Sequence, residues 1–111
     1  MRSLTSLTLA KLAAGYRTGA LDPRDVTAAY LEAIEARNPS LTAYIAVLAD
    51  SARAEAEASA VRWRTGSALG ALDGAPIAIK DNIDLAGVPT TNGCAFGPVA
   101  GVDSAVSDRL K

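Results

Sequence analysis

Lys80 closes the apolar run Pro76-Ile-Ala-Ile79 and stands directly before Asp81-Asn82. A lysine leaving a buried strand sits at the edge of a core, where its charge is poorly solvated. A neutral lysine amine is a usable general base. Lys80 also has plainer readings: a solvated charge at a strand end, or a partner for the adjacent Asp81. Asp81 divides in the same way: its carboxylate either orients Lys80 or satisfies nearby backbone N–H groups. Spacing does not separate these readings. Asn82 reads as a turn residue.

The other residues that could do chemistry are few. The chain has no histidine, which excludes a Ser-His-Asp triad, a Cys-His pair and a histidine metal site within these 111 residues. Its one cysteine, Cys94, allows no internal disulfide and no cysteine zinc cluster. Nothing near Cys94 would activate a thiol, so it reads as inert and partly buried. Ser104 and Ser107 stand apart on a predicted helix, with no glycines beside them to bring backbone donors to a substrate. Neither takes a catalytic role. Trp63 and Tyr30 read as packing residues. No metal ligand set and no cofactor are assigned.

The elements that must position Lys80 are mostly helical. Leu9, Leu12, Ala13 and Tyr16 recur at helical spacing behind a capping Thr8, and Gly19 reads as the stop. A second helix opens at Asp22-Pro23-Arg24-Asp25, with aspartate to cap and proline at the first turn. Val26, Tyr30, Ala33 and Ile34 make its apolar stripe, and Asn38-Pro39 reads as its end. Tyr44–Leu48 is a short apolar run of strand type. A third helix is predicted from Asp50 to about Arg64, with Ala54, Ala58 and Val61 as its weakly apolar face, Trp63 anchoring its end and Thr65-Gly66-Ser67 closing it. Residues 70–101 are dense in glycine and proline and read as turns and short strands. Pro76–Ile79 is the stretch there that looks like a buried strand.

Val102, Val106 and Leu110 sit four apart behind Asp103 or Ser104, which predicts an amphipathic helix just starting. A strand that wants neighbours and a helix without a stop both suggest a chain cut short. The alternative is a frayed C-terminal helix.

Half of the residues are apolar and 21% are charged, the balance of a soluble globular protein. Much of the apolar half is alanine and few residues are aromatic, so the core would be thin. Eleven basic and twelve acidic residues give a net charge of −1, which argues against direct nucleic-acid binding. The start, Met1-Arg2-Ser3-Leu4, does not read as a secretory signal, and no apolar run is long enough for a membrane span. The expected location is cytoplasmic.

The block Gly74-Ala-Pro-Ile-Ala-Ile-Lys-Asp-Asn-Ile-Asp-Leu-Ala-Gly-Val-Pro-Thr-Thr91 resembles the first conserved block of the amidase signature family. Leu7–Leu12, the break at Gly19–Asp22, Tyr30–Ile34 and Asn38-Pro39 resemble that family's N-terminal helices. Val102–Val106 with Arg109-Leu110 resembles the helix after the lysine block. The resemblance covers nearly the whole chain, in order. It implies an α/β fold, with N-terminal helices packed on a mixed β-sheet core, of which this chain is an incomplete part. Residues 1–111 would be the N-terminal part of a single amidase domain: 1–69 mostly helical, 70–101 strand and loop with the lysine motif, 102–111 the start of a helix.

It further implies hydrolysis of carboxamide C–N bonds by a Ser-cis-Ser-Lys triad, with Lys80 at the lysine position and a small-molecule amide as substrate. Both serines of the family lie in a glycine- and serine-rich block after the lysine, and residues 81–111 hold nothing like it. The expected partner is therefore the missing C-terminal part or a second chain carrying the serines, and the segment alone is expected to be inactive. A homodimer stays open. One alternative is the glutamine-hydrolysing subunit of a tRNA-dependent amidotransferase. Another, from a different class, is a non-catalytic helical interaction module.

Overall fold

The computed structural model describes residues 3–111 and divides into two compact units, Met1–Pro76 and Ile77–Lys111. Met1 and Arg2, part of the stretch read as lacking a secretory signal, lie outside the described residues. No described helix is long and apolar enough to cross a membrane.

Helix α1, Leu9–Thr18, starts where Thr8 accepts the Lys11 N–H and ends at Gly19, whose φ of 73° gives a left-handed cap. Helix α2, Pro23–Leu41, starts with Asp22 accepting the Arg24 N–H. Both starts and the Gly19 stop follow the sequence pattern. The expected stop of α2 at Asn38-Pro39 is overturned, because the helix runs through Pro39 to Leu41. Proline costs most in a helix interior. In this last turn the ladder is ending anyway, and Thr42, left-handed at φ 48°, donates its N–H to Asn38 O at 2.7 Å.

Asn38 also accounts for a missing strand. Its side-chain amide donates to Tyr44 O at 3.0 Å and accepts from Tyr44 N at 2.8 Å. Both backbone groups of Tyr44 are thereby satisfied locally, and residues 42–48 form a loop instead of the expected strand.

Helix α3, Ala49–Thr65, ends at left-handed Gly66, as the sequence indicates. Its inward face differs from the one expected. Ala56, Ser59 and Ala60 are buried, whereas Ala54, Ala58 and Val61 are exposed. Alanine patterning cannot choose between these faces, since each alanine carries the same small area. Trp63 chooses: it stands at helical spacing from Ala56, Ser59 and Ala60. Its ring lies 6.0 Å from that of Tyr16, and its indole N–H donates to Asp73 O at 3.0 Å.

The core of the first unit is Leu12, Tyr16 and Val26, with Leu4, Leu7, Leu21, Tyr30 and Trp63 packed around it. Trp63 and Tyr30 are packing residues, as read. Helices α2 and α3 pack together over this cluster. Arg62 clasps Asp73 with two bonds of 2.7 and 2.6 Å, and the Leu69 N–H adds a third at 3.0 Å. The Arg62 guanidinium holds the Asp73 carboxyl down to about 2, against the upward push of burial. Tyr16 donates its hydroxyl to Gly74 O at 3.1 Å, and burial pushes that hydroxyl up to about 12.

The second unit is a set of turns and one short helix, α4, Ala105–Leu110. Among the described residues there is no strand, only an isolated antiparallel bridge between Pro89 and Val99. The expected strand at Pro76–Ile79 is therefore absent, and with it any sheet core in these residues. A strand needs a neighbour to pair its N–H and C=O groups, and no described segment pairs with this one; Ile77 is 53% exposed. Helix α4 forms as predicted, capped by Ser104, but Val102, Val106 and Leu110 are all exposed.

Candidate active site

Lys80 begins a turn. Its C=O accepts the Ile83 N–H at 3.0 Å, and its side chain is exposed. The burial expected for a lysine at a strand end is not present. Among the described residues the Lys80 amine has no hydrogen bond or ion pair, so of the two plainer readings the structure shows the solvated charge and not the partner of Asp81.

Asp81 is engaged elsewhere. Its Oδ1 accepts the Thr91 N–H at 2.7 Å and its Oδ2 accepts the Thr91 hydroxyl. Its C=O accepts the Asn92 N–H at 2.9 Å. The Thr91 hydroxyl, then the Thr91 N–H, hold the Asp81 carboxyl below the ordinary carboxylate range, with burial opposing and the Gly93 N–H and Lys80 charge adding. Of the two readings of Asp81, the structure selects the satisfaction of nearby backbone. It adds a side-chain partner, Thr91, that the sequence did not indicate.

Asp84 fixes the other end of the turn. Its carboxylate accepts the buried Thr90 hydroxyl at 2.7 Å. Its C=O accepts the Ser107 hydroxyl at 2.6 Å and the Ser104 N–H at 3.0 Å. Asn92 and Gly93, at φ 51° and 82°, turn the chain back so that the loop 90–94 faces Asp81. Asn82 lies within the turn, as read.

The two serines left without a catalytic role have structural ones: Ser104 caps α4, and Ser107 is buried and tied to Asp84. Cys94 is exposed rather than partly buried. No described group of three His, Cys, Asp or Glu residues could hold a metal ion. A concavity of about 400 Å³ along α2 is lined by Leu31, Ile34, Glu35, Asn38, Pro39 and Val47. It offers no lysine base and no hydroxyl nucleophile.

Asp84, Thr90 and Thr91 carry the geometry of the turn yet were not singled out from the sequence. Aspartate and threonine are ordinary loop residues, and their spacings of 6 and 10 residues follow no periodic pattern. The Asp–Thr composition of a glycine-rich stretch was the one signal available.

Comparison with known proteins places the chain. The family model described as Amidase matches residues 25–111. A glutamyl-tRNA(Gln) amidotransferase subunit of Granulibacter bethesdensis is 43% identical over 112 residues, covering 99% of this chain and 22% of that protein. The putative amidase AmiB2 of Mycobacterium bovis is 47% identical over 94 residues, covering 84% of this chain and 20% of its own length. A solved structure is similar with a TM-score of 0.86 and 32% identity, over 94% of this chain and 23% of the other. It was described as a vestigial protein complex bearing on the origins of an s-triazine catabolic enzyme. The chain thus spans about a fifth of the length of these relatives. With the lysine block inside the matched region, the chain belongs to the amidase family.

Proposed function

We propose that residues 1–111 are the N-terminal part of a single amidase domain that hydrolyses carboxamide C–N bonds through a Ser-cis-Ser-Lys triad, and that Lys80 is its base. The observation that carries this reading is an unpaired Lys80 amine in the family's lysine block, on a turn closed by the Ile83 N–H and followed by an Asp81 tied to Thr91. In this reading the serine-bearing remainder, or a second chain, covers Lys80 and favours its neutral amine. It also supplies the nucleophile and the sheet against which the 76–79 run and the apolar side of α4 pack. The segment alone is inactive, and the location is cytoplasmic.

The chemistry is acyl transfer. Neutral Lys80 takes a proton from the bridging serine, which takes one from the nucleophilic serine. The nucleophile's oxygen bonds to the amide carbon, and backbone N–H groups hold the oxyanion. Collapse breaks the C–N bond, and the relay returns a proton to the leaving nitrogen. Water then cleaves the ester by the same path, releasing the acid and regenerating the serine.

The test is Lys80→Ala in the complete enzyme, assayed for acyl-enzyme formation and turnover. The expected loss is about a thousandfold or more with the fold intact. Near-normal turnover removes the assignment of Lys80, whereas a 111-residue chain that folds and binds a partner with no hydrolysis in any assembly favours the non-catalytic helical module. A second reading, the glutamine-hydrolysing subunit of a tRNA-dependent amidotransferase, is favoured by the 43% identity to a protein named as an amidotransferase subunit. Ammonia release from glutamine only in a complex with partner subunits would select it. Turnover of simple amides by the lone enzyme would select the free-standing amidase.

A further inference from the structure

We propose that Asp81 and Thr91 form the device that positions Lys80. This rests on the reading of Lys80 as the base. A lysine side chain has four rotatable bonds, so a base of this kind can be aimed only from a fixed backbone. Lys80 makes no side-chain bond among the described residues, and the hydrogen bonds that hold its turn come from residues 83–92. The turn is closed by Ile83 N–H on Lys80 O at 3.0 Å. The next residue is locked by three bonds to Thr91 and Asn92: the Thr91 N–H at 2.7 Å, the Thr91 hydroxyl, and the Asn92 N–H on Asp81 O at 2.9 Å.

Asp81 accepts from Thr91 through both carboxylate oxygens, so it anchors the backbone beside Lys80 and makes no bond to the lysine amine. Asp81 and Thr91 are thus positioning residues, distinct from any group that touches substrate.

The test compares Asp81→Asn, Thr91→Val, Thr91→Ser and the Asp81→Asn/Thr91→Val double variant in the complete enzyme. Asp81→Asn and Thr91→Val are each expected to lower kcat by about tenfold to a hundredfold, the scale of a small misplacement of a reacting group. KM should change by less than about twofold. The double variant should fall no further than either single variant, since one clamp is being removed twice. Thr91→Ser keeps the hydroxyl and should restore most of the turnover. Lys80, carbon-13 methylated and followed by NMR, gives a readout independent of catalysis. Its resonance should move toward the unstructured-lysine position in Asp81→Asn and Thr91→Val and return in Thr91→Ser. Wild-type kcat in both single variants, additive losses, or a Lys80 resonance that none of the variants moves would overturn the proposal. If Lys80→Ala keeps its activity, the catalytic reading falls. The NMR comparison then decides the clamp alone, and an unmoved resonance rejects it.

Discussion

In the first unit Leu12, Tyr16 and Val26 are 2%, 4% and 0% exposed, and five further apolar side chains pack around them. In the second unit the buried residues are Thr90 and Ser107, both polar, while Phe96, Val99, Val102 and Val106 face outward. One region is held by burial, and the other by a mesh of turns, carboxylates and hydroxyls. A net hydrogen bond contributes about 1 kcal/mol, whereas ordering a residue costs about 1 to 2 kcal/mol of backbone entropy. The mesh can therefore set the shape of the Lys80 turn but cannot stabilise it alone. In the 111-residue chain by itself, amides of Leu12 and Val26 should be strongly protected from hydrogen exchange, and those of Thr91 and Asn92 weakly.

The sharpest way to break the mesh is Gly97→Ala. A Cβ there would collide with Thr90 O and lie 2.8 Å from Thr90 C, both backbone atoms. We expect a cost of about 3 kcal/mol or more to the second unit, with loss of the Thr90 N–H bond to Pro98 O. An unchanged Thr90 amide in hydrogen exchange would show that the loop closes in some other way. The corresponding cut in the first unit is Val26→Ala, which removes the fully buried side chain of α2 and should cost about 2 kcal/mol in denaturant melts.

Arg62→Met is a smaller cut and sharpens the contrast between buried and exposed polar links. Asp73 is 2% exposed and Arg62 28%, so the variant leaves a nearly buried carboxylate without its cation. The expected cost is about 2 kcal/mol at neutral pH. The acid dependence has a definite sign. The Asp73 carboxyl titrates at about 2 in the folded chain against an ordinary 3.8, so its stabilisation is complete above 3.8 and is lost as pH falls from there toward 2. That acid-dependent loss should shrink markedly in Arg62→Met. The mildest change is Ser107→Ala. It removes the 2.6 Å bond to Asp84 O but leaves the Ser104 N–H on the same oxygen, for a cost of about 1 kcal/mol read from the Ser104 amide exchange rate.

Much of the helical half was legible because its signals are local. Thr8, Asp22 and Ser104 cap the helices they precede, and Gly19 and Gly66 end helices in the left-handed conformation they tolerate. Each such choice is settled within four or five residues. The family was legible for a different reason: the block from Gly74 to Thr91 is read by likeness. The passage of α2 through Pro39 was not legible, because the penalty of a proline depends on how much helix comes after it and on what Asn38 can bond next.

The chain's own order of residues thus determined where the helices α1, α2 and α4 start, where α1 and α3 stop, and the absence of histidine chemistry. Only the tertiary structure decided which face of α3 turns inward, because Trp63 had first to meet Tyr16 and Asp73, 10 or more residues away in sequence. It also decided the partner of Asp81. A carboxylate takes whichever donor the folded loop brings within about 3 Å, and that loop brought Thr91 to it, leaving Lys80 unpaired.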